Sequence, residues 1–537
     1  MSRPLAERWL VPFLLLNIVA IAIAYAWLLL PILRDGQYMP AWTDEYGYVL
    51  DARSFAANGT LHAARVKEES VSRVFAASTH GPAYILLQGA LARVAGDPVT
   101  LSLWPNLAVL GLPLLLILVY PVPLAQRMWI VLLLLLHFAV FLYLFTWMVE
   151  THQVLFAVAA TLLLVTLHRL GPDAAGTRAR LAGFVVLLLV LSTFRVSYAL
   201  WALGLLPLAR NGRELLRFGT LALVVLVAGV LAMQVLSAPN PHWPLSRALG
   251  GLARGDAAAS IAMLAGNVGQ NLHRYFVGET QGLTFYLVMK YVVVLLGLIV
   301  LGGAAVHRDR LALAAALVLG AHLVLLFVLY DAHTWREHRH LAPVFYLLVV
   351  VLVVGGYRKT YVALYLILLA LFPEVYGYAN ERILPERQLV AMQWAASEDA
   401  RRSLAHLADL VTRADGGTIT VLHAKDYYRN LSLFPLALPV KNRDGQPIRY
   451  TANLGATPDT RRFGRIAIDY VLLPPGTAPE PGWARVYADA YYALYDLRPA
   501  SGAGTGASPS PRSRAGDSFK RSTSLPSSVS SAVRSSS

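Results

Sequence analysis

The sequence predicts an all-α polytopic membrane protein of about 11 transmembrane helices with a small C-terminal α/β domain. Three observations predict it. Hydrophobic residues make up 57% of the 537 positions and charged residues only 14%, against about a quarter charged in a soluble globular chain. Apolar runs recur that are long enough to cross about 30 Å of hydrocarbon. Beyond residue 380 these runs stop, and short strand-like segments separated by turn residues take over.

Arg3 and Arg8 precede the first apolar run, and Ala24-Tyr25-Ala26 imitates a signal-peptide cleavage site. The run continues through Leu28 to Leu33, however, and is long enough to span. We read it as a retained first helix with its amino terminus inside. Further apolar segments lie near 101–120, 128–147, 152–168, 181–209, 216–236, 283–303, 311–330, 341–354 and 360–373. The 181–209 stretch is overlong for one span and short for two at about 20 residues each. Arg195 stands at its centre, in LSTFRVSYALW. A cation at mid-bilayer costs on the order of 2.5–3.5 kcal/mol on the gentlest scale, so two short helices hinged at Arg195 are expected. With that hinge, Arg210, Arg213, Arg217, Arg308, Arg310, Arg358 and Lys359 all fall in cytoplasmic loops, as the positive-inside rule requires.

This topology leaves two large external loops, 34–100 and 237–282, within a membrane domain spanning 1–379. The first contains Tyr84 to Val94, apolar but too short to span, and suited to lie along the interface. Pro82 fits its first turn. Residues 380–499 are expected to form the α/β domain, helical over 387–413, with strands in ITVLHAKDYY and RIAIDYVLLPP and a hairpin in WARVYADAYYALYDL. Residues 500–537, rich in Ser, Gly, Pro and Arg, are expected to be disordered. The net charge of +15 gathers in loops between spans, with no basic stripe of interleaved aromatics, so no nucleic-acid partner is expected. The absence of cysteine excludes a disulfide scaffold and any thiolate ligand or nucleophile.

Four polar clusters bear on chemistry. Asp44 and Glu45 lie in AWTDEYGYVLDARS, just past the first span. Adjacent side chains diverge by about 100° on a helix, so they do not form an equivalent pair: one faces a reaction centre while the other supports the loop or binds substrate. The plainer reading is a helix start capped by Thr43 or Asp44. His80-Gly81-Pro82 reads as a turn before the interfacial segment. Glu150 and His152, in VETHQ, sit at the mouth of the fourth span, where Glu150 also favours the helix dipole. Finally, YDAHTWREHRHLAP puts Arg336, Arg339, His333, His338 and His340 in one short external loop. Such loops are poor in arginine, and a guanidinium fork matches phosphate or carboxylate; snorkelling anchors are the structural alternative. The histidine spacing fits no standard zinc pattern, so no metal or other cofactor is expected, although a divalent ion stays open.

Together these clusters resemble the GT-C membrane glycosyltransferases, which include protein O-mannosyltransferases and bacterial lipid A aminoarabinose transferases. The resemblance covers most of residues 1–375. It rests on the acidic motif Asp44-Glu45, the turn His80-Gly81-Pro82, Glu150 before a leucine-rich span, Arg195 at a span end, and Arg339-His340-Leu341-Ala342-Pro343 entering a late span. Two positions depart from the family pattern: glycine at 81 replaces a proline, and His340 replaces an aromatic. The resemblance implies transfer of a sugar, with inversion, from a polyprenyl-phosphate donor such as an undecaprenyl lipid. The acceptor would be a hydroxyl or phosphate of a lipid, glycan or protein at the outer, periplasmic face of a bacterial cytoplasmic membrane.

A glycosidase needs a second carboxyl to protonate its leaving alkoxide. A sugar leaving lipid phosphate departs as an anion, so one base and positive charge suffice. Asp44 is accordingly the expected base, with Glu45 orienting the loop or acceptor. Arg336 and Arg339 are expected on the phosphate, with Arg195, Lys67 and His80 as further candidates. Glu150, His152 and His340 are expected to orient the acceptor or these cations. Two rivals are a transporter, which predicts broken or charged helices near mid-bilayer, and a lipid-linked glycan ligase or flippase. Few charges are buried in the apolar runs: Arg195, which the hinge places at a mouth, and Lys290 within LVMKYVVVLL.

Overall fold

Inside hydrocarbon a backbone has no water to bond with, so each apolar run must close its own hydrogen bonds as a helix. The computed structural model describes residues 5–35, 39–59, 65–67, 81–96, 103–171, 174–236, 244–277, 283–329, 339–423, 434–452, 462–463 and 466–498. Among them six helices are long and apolar enough to cross a membrane: Trp9–Arg34, Glu150–Leu170, Gly212–Met233, Thr284–His307, Arg310–Leu329 and Arg358–Ala396. The pair Leu124–Leu136 and Phe138–Leu144, bent by 59°, makes a seventh if counted as one span. Shorter apolar helices cover Leu103–Val119, Val196–Leu208 and Arg339–Val354. The Ala342–Val354 helix is apolar on every face and buried along nearly its whole length, which places it at the centre of the bundle.

Two breaks shape the bundle. At Arg195 the Thr177–Ser192 helix has stopped, Arg195 is extended, and a 3-10 helix, Val196–Leu208, follows. This is the foreseen hinge. At His137 the apolar segment expected near 128–147 is bent, by 59° between Leu124–Leu136 and Phe138–Leu144. The His137 ring stacks on Phe345 at 4.1 Å, and its Nδ1 lies 3.3 Å from the Tyr346 hydroxyl.

Helix α1 (Leu5–Asp35) leads into the first loop, which holds α2 (Thr43–Asn58), strand β1 (Arg65–Lys67) and α3 (Pro82–Ala95). Pro82 occupies the first turn of α3, as expected. Gly89 lets α3 settle directly onto α2, since a Cβ there would fall 2.6 Å from Phe55 Cδ1 and 2.9 Å from the Ala52 carbonyl oxygen.

The Arg358–Ala396 helix runs 39 residues, about 58 Å at the α-helical rise and close to twice the hydrocarbon thickness. The boundary drawn at 380 therefore falls inside a continuous helix. Beyond it come β2 (Ile419–His423), β3 (Ile448–Ala452), β4 (Arg462–Phe463), β5 (Ile466–Ala467), β6 (Tyr470–Leu473), β7 (Ala484–Ala488) and β8 (Ala493–Asp496). One six-stranded sheet has the order β1-β3-β2-β6-β8-β7. The foreseen hairpin is β7–β8, antiparallel with a register shift between Arg485 and Tyr487. β1 was not foreseen: it leaves the first loop and pairs in parallel with β3, Arg65 opposite Tyr450 and Lys67 opposite Ala452. Residues 1–497 accordingly fold as one compact unit. The serine-rich tail at 500–537 lies outside the described residues.

Candidate active site

The site begins with how α2 is capped. Its N-cap position is Trp42, which offers no side-chain acceptor, so the expectation that Thr43 or Asp44 caps the helix is corrected. Glu45 at N3 fills the role by reaching back: its Oε2 accepts from the N–H of Ala41 at 2.9 Å and of Trp42 at 2.7 Å. Its Oε1 accepts from the Trp147 N–H at 2.8 Å and from Arg387 Nη2 at 2.6 Å. Glu45 is 0% exposed. The Arg387 guanidinium also lies 4.8 Å from the centre of the Trp42 ring and donates from Nη1 to the Ile383 carbonyl.

With Glu45 turned inward, Asp44 points into a different environment. Its side chain is 41% exposed, and Oδ2 lies 3.4 Å from Arg339 Nη2. Arg339 Nε is 3.5 Å from Glu150 Oε1. The same Glu150 oxygen accepts from Arg195 Nη2 at 3.1 Å, and Arg195 Nη1 donates to Gln153 Oε1 at 3.2 Å. The result is a line of alternating charge, Asp44–Arg339–Glu150–Arg195, drawn from four separate stretches of chain. Glu150 is almost fully buried within it, while Asp44 is its most exposed member.

Local sequence explains why Arg195 sits here. Gly81, just before α3, has φ +93°, and a Cβ would fall 2.4 Å from the Thr193 carbonyl oxygen and 2.5 Å from that of Phe194. The Ala83 N–H donates to the same Thr193 oxygen. The turn is thus pressed against the hinge backbone, where no side chain fits. Proline, with φ fixed near −65°, is incompatible with this position, which gives the glycine at 81 a physical reason.

Below the ion pairs the site is floored by aromatic rings. Tyr84 donates to the Trp147 carbonyl at 2.7 Å and meets Tyr48 and His152 edge-on, each at 5.1 Å. His152 packs between Tyr84 and Phe156. Burial, helped by the negative charge of Asp44 and Glu150, pushes the Tyr48 hydroxyl well above its ordinary range and keeps it neutral. His340 follows Arg339 and is half-buried. Arg336 and His80 lie outside the described residues, and of Lys67 only the strand position is described. Among the described residues no three His, Asp or Glu groups converge as a metal set.

Of the sequence-predicted residues, the fold brings Asp44, Arg339, Glu150 and Arg195 together and gives Glu45 a separate, buried position. Sequence reasoning missed Gln153 and Arg387. Gln153 is three residues from Glu150, on the same helix face, a spacing that was available. Arg387 is 342 positions from Glu45, and no local pattern joins them.

A half-exposed carboxylate beside a guanidinium can take a proton from a bound hydroxyl, and two arginines flanking one buried glutamate can meet an anion. No family model matches the sequence, and no curated protein matches it. Among solved structures, the chain is similar to ArnT from Cupriavidus metallidurans in the apo state, at 15% identity, over 90% of this chain and 97% of that one, with a TM-score of 0.46. For ArnT bound to undecaprenyl phosphate the values are 14%, 92%, 99% and 0.44. For the Archaeoglobus fulgidus oligosaccharyltransferase AglB, in complex with an inhibitory peptide and a dolichol-phosphate, they are 11%, 88%, 70% and 0.46.

Proposed function

We propose that the protein is an integral membrane glycosyltransferase that moves a sugar from a polyprenyl-phosphate donor to an acceptor hydroxyl or phosphate. The observation that carries this reading is the position of Asp44, half-exposed on a turn locked by Glu45 and 3.4 Å from Arg339. One half-exposed carboxylate paired with Arg339, with Arg195 further along the same line of charges, is the inventory that departure of a phosphate requires. In the reaction, the acceptor hydroxyl gives its proton to Asp44 as its oxygen attacks the anomeric carbon. The bond from that carbon to the phosphate oxygen breaks, and its electron pair leaves with the lipid phosphate. Arg339 and Arg195 stabilise the charge that develops, while Glu150 keeps both guanidiniums aligned. Attack opposite the leaving group inverts the configuration.

Orientation follows from charge. Arg210, Arg213, Arg217, Arg308, Arg310, Arg358 and Lys359 flank helix ends opposite to the site, and the positive-inside rule assigns such loops to the cytoplasm. The site and residues 380–499 would then face the periplasm of a bacterial inner membrane. In that setting α3 would line the groove for the polyprenyl tail, and Arg336, Lys67 and His80 would be further phosphate contacts.

Asp44→Asn tests the reading in purified protein in lipid nanodiscs. Transfer is expected to be lost while undecaprenyl phosphate still binds. Normal turnover in this variant would remove Asp44 as the base.

A further inference from the structure

The structure carries a second level of organisation, and it runs through Arg387. We propose that Arg387 is a positioning residue for the candidate base, and that through it the C-terminal region sets the geometry of the site. This rests on the glycosyl-transfer reading above.

Arg387 bonds Glu45, the residue next to Asp44. It acts through Glu45, the neighbour that fixes the first turn of α2. Further contacts tie α2 to the same distant part of the chain. Glu386 accepts from Trp42 Nε1 at 3.4 Å. Val390 and Leu436 close a cluster with Met39, Tyr46, Val49 and Trp147. Arg53, further along α2, donates to the Leu436 carbonyl. Beyond α2, β1 adds itself to β3. The helix bearing Asp44 is therefore built jointly by the first loop and residues 386–452.

The consequence of removing Arg387 is directional. A buried carboxylate that loses its counter-charge must find water. Glu45 reaches water only if the first turn of α2 opens, and that movement carries Asp44 with it. A displacement of about 1 Å at a reacting group costs about 10²-fold in rate, whereas Arg339 and Arg195 sit on other stretches of chain and keep their places.

The test uses the full chain in nanodiscs. Arg387→Met is expected to lower kcat about 10²-fold while undecaprenyl phosphate binds at wild-type affinity. The chain has no cysteine, so Val49→Cys, fully buried in the α2 cluster, gives a single reporter thiol. Its labelling by a maleimide is expected to accelerate when Arg387→Met is added. Should Arg387→Met fail to fold, the double variant Glu45→Gln with Arg387→Met removes both buried charges together. It is expected to fold and still turn over slowly, because the tie to the α2 turn is gone. Wild-type kcat in either folded variant, or unchanged labelling at position 49, overturns the proposal. If the wild-type protein neither binds nor transfers, while the Val49→Cys reporter labels faster once Arg387→Met is added, the glycosyl-transfer reading alone is refuted.

Discussion

Glu45→Gln separates the two adjacent carboxylates more sharply than any other single change. Glu45 accepts four N–H donors, two on each oxygen. A carboxamide has one acceptor oxygen, so in either orientation its NH₂ faces two donors. The lost charge-assisted bond alone is worth about 1.5–3 kcal/mol, and breaking a buried pair by removing one partner costs about 3–5 kcal/mol. These describe the same loss, so about 3–5 kcal/mol is the expected destabilisation. Asp44→Asn removes one partner of a half-exposed pair at 3.4 Å, for which about 0–1 kcal/mol is typical. The assay is the half-life of folded protein in nanodiscs at a fixed elevated temperature, since membrane proteins of this size unfold irreversibly. Glu45→Gln should shorten it strongly, and Asp44→Asn should leave it near wild type. Equal half-lives for the two variants would refute the division between a buried, clamping carboxylate and a half-exposed one.

Gly81→Ala should destabilise by at least about 1–3 kcal/mol from its positive φ alone, with the clash against the hinge carbonyls added. The same half-life assay reads this, and affinity for undecaprenyl phosphate should fall as Arg195 is displaced; an unaffected protein would show the hinge contact to be dispensable. Arg339→Ala and Arg195→Ala should each weaken undecaprenyl phosphate binding by about 1.5–3 kcal/mol, the worth of one charged hydrogen bond. Undiminished binding would reduce both to structural ion pairs. At Asp489, burial opposes ionisation, but hydrogen bonds from Ser403, the Tyr492 and Tyr491 N–H groups and Tyr487 outweigh it and hold the carboxyl below its ordinary range. A depressed folded pKa contributes stability above the unfolded value of about 3.9 and loses it as pH falls through the folded one. Asp489→Asn should therefore flatten the acid side of the stability profile, and an unchanged profile would remove this group as its source.

The sequence revealed what periodicity and charge can carry. The hinge at Arg195 was legible because an arginine at mid-bilayer is costly, and the helix α3 because Pro82 opens a short apolar run. The meeting of Asp44, Glu150, Arg195 and Arg339 was legible only as four features expected on one side of the membrane. The bend at His137 was hidden, because its stacking on Phe345 comes from a distant helix. β1 was hidden because three residues have no readable alternation, and the strand exists only by pairing with β3. Arg387 was hidden for the same reason: its partner is chosen by tertiary packing, which no local pattern encodes. The inward turn of Glu45 was half legible, since adjacency forbade two equal roles but did not say which carboxylate would be buried.

Mass spectrometry of membrane lipids, glycans and proteins from cells lacking the gene, complemented with either wild type or Asp44→Asn, tests the central claim most directly. Cells without the gene should lack one sugar on one acceptor and accumulate the corresponding polyprenyl-phosphate sugar. Wild type should restore the acceptor, and Asp44→Asn should leave the donor accumulated. An unchanged profile in cells lacking the gene, or full restoration by Asp44→Asn, would contradict the account.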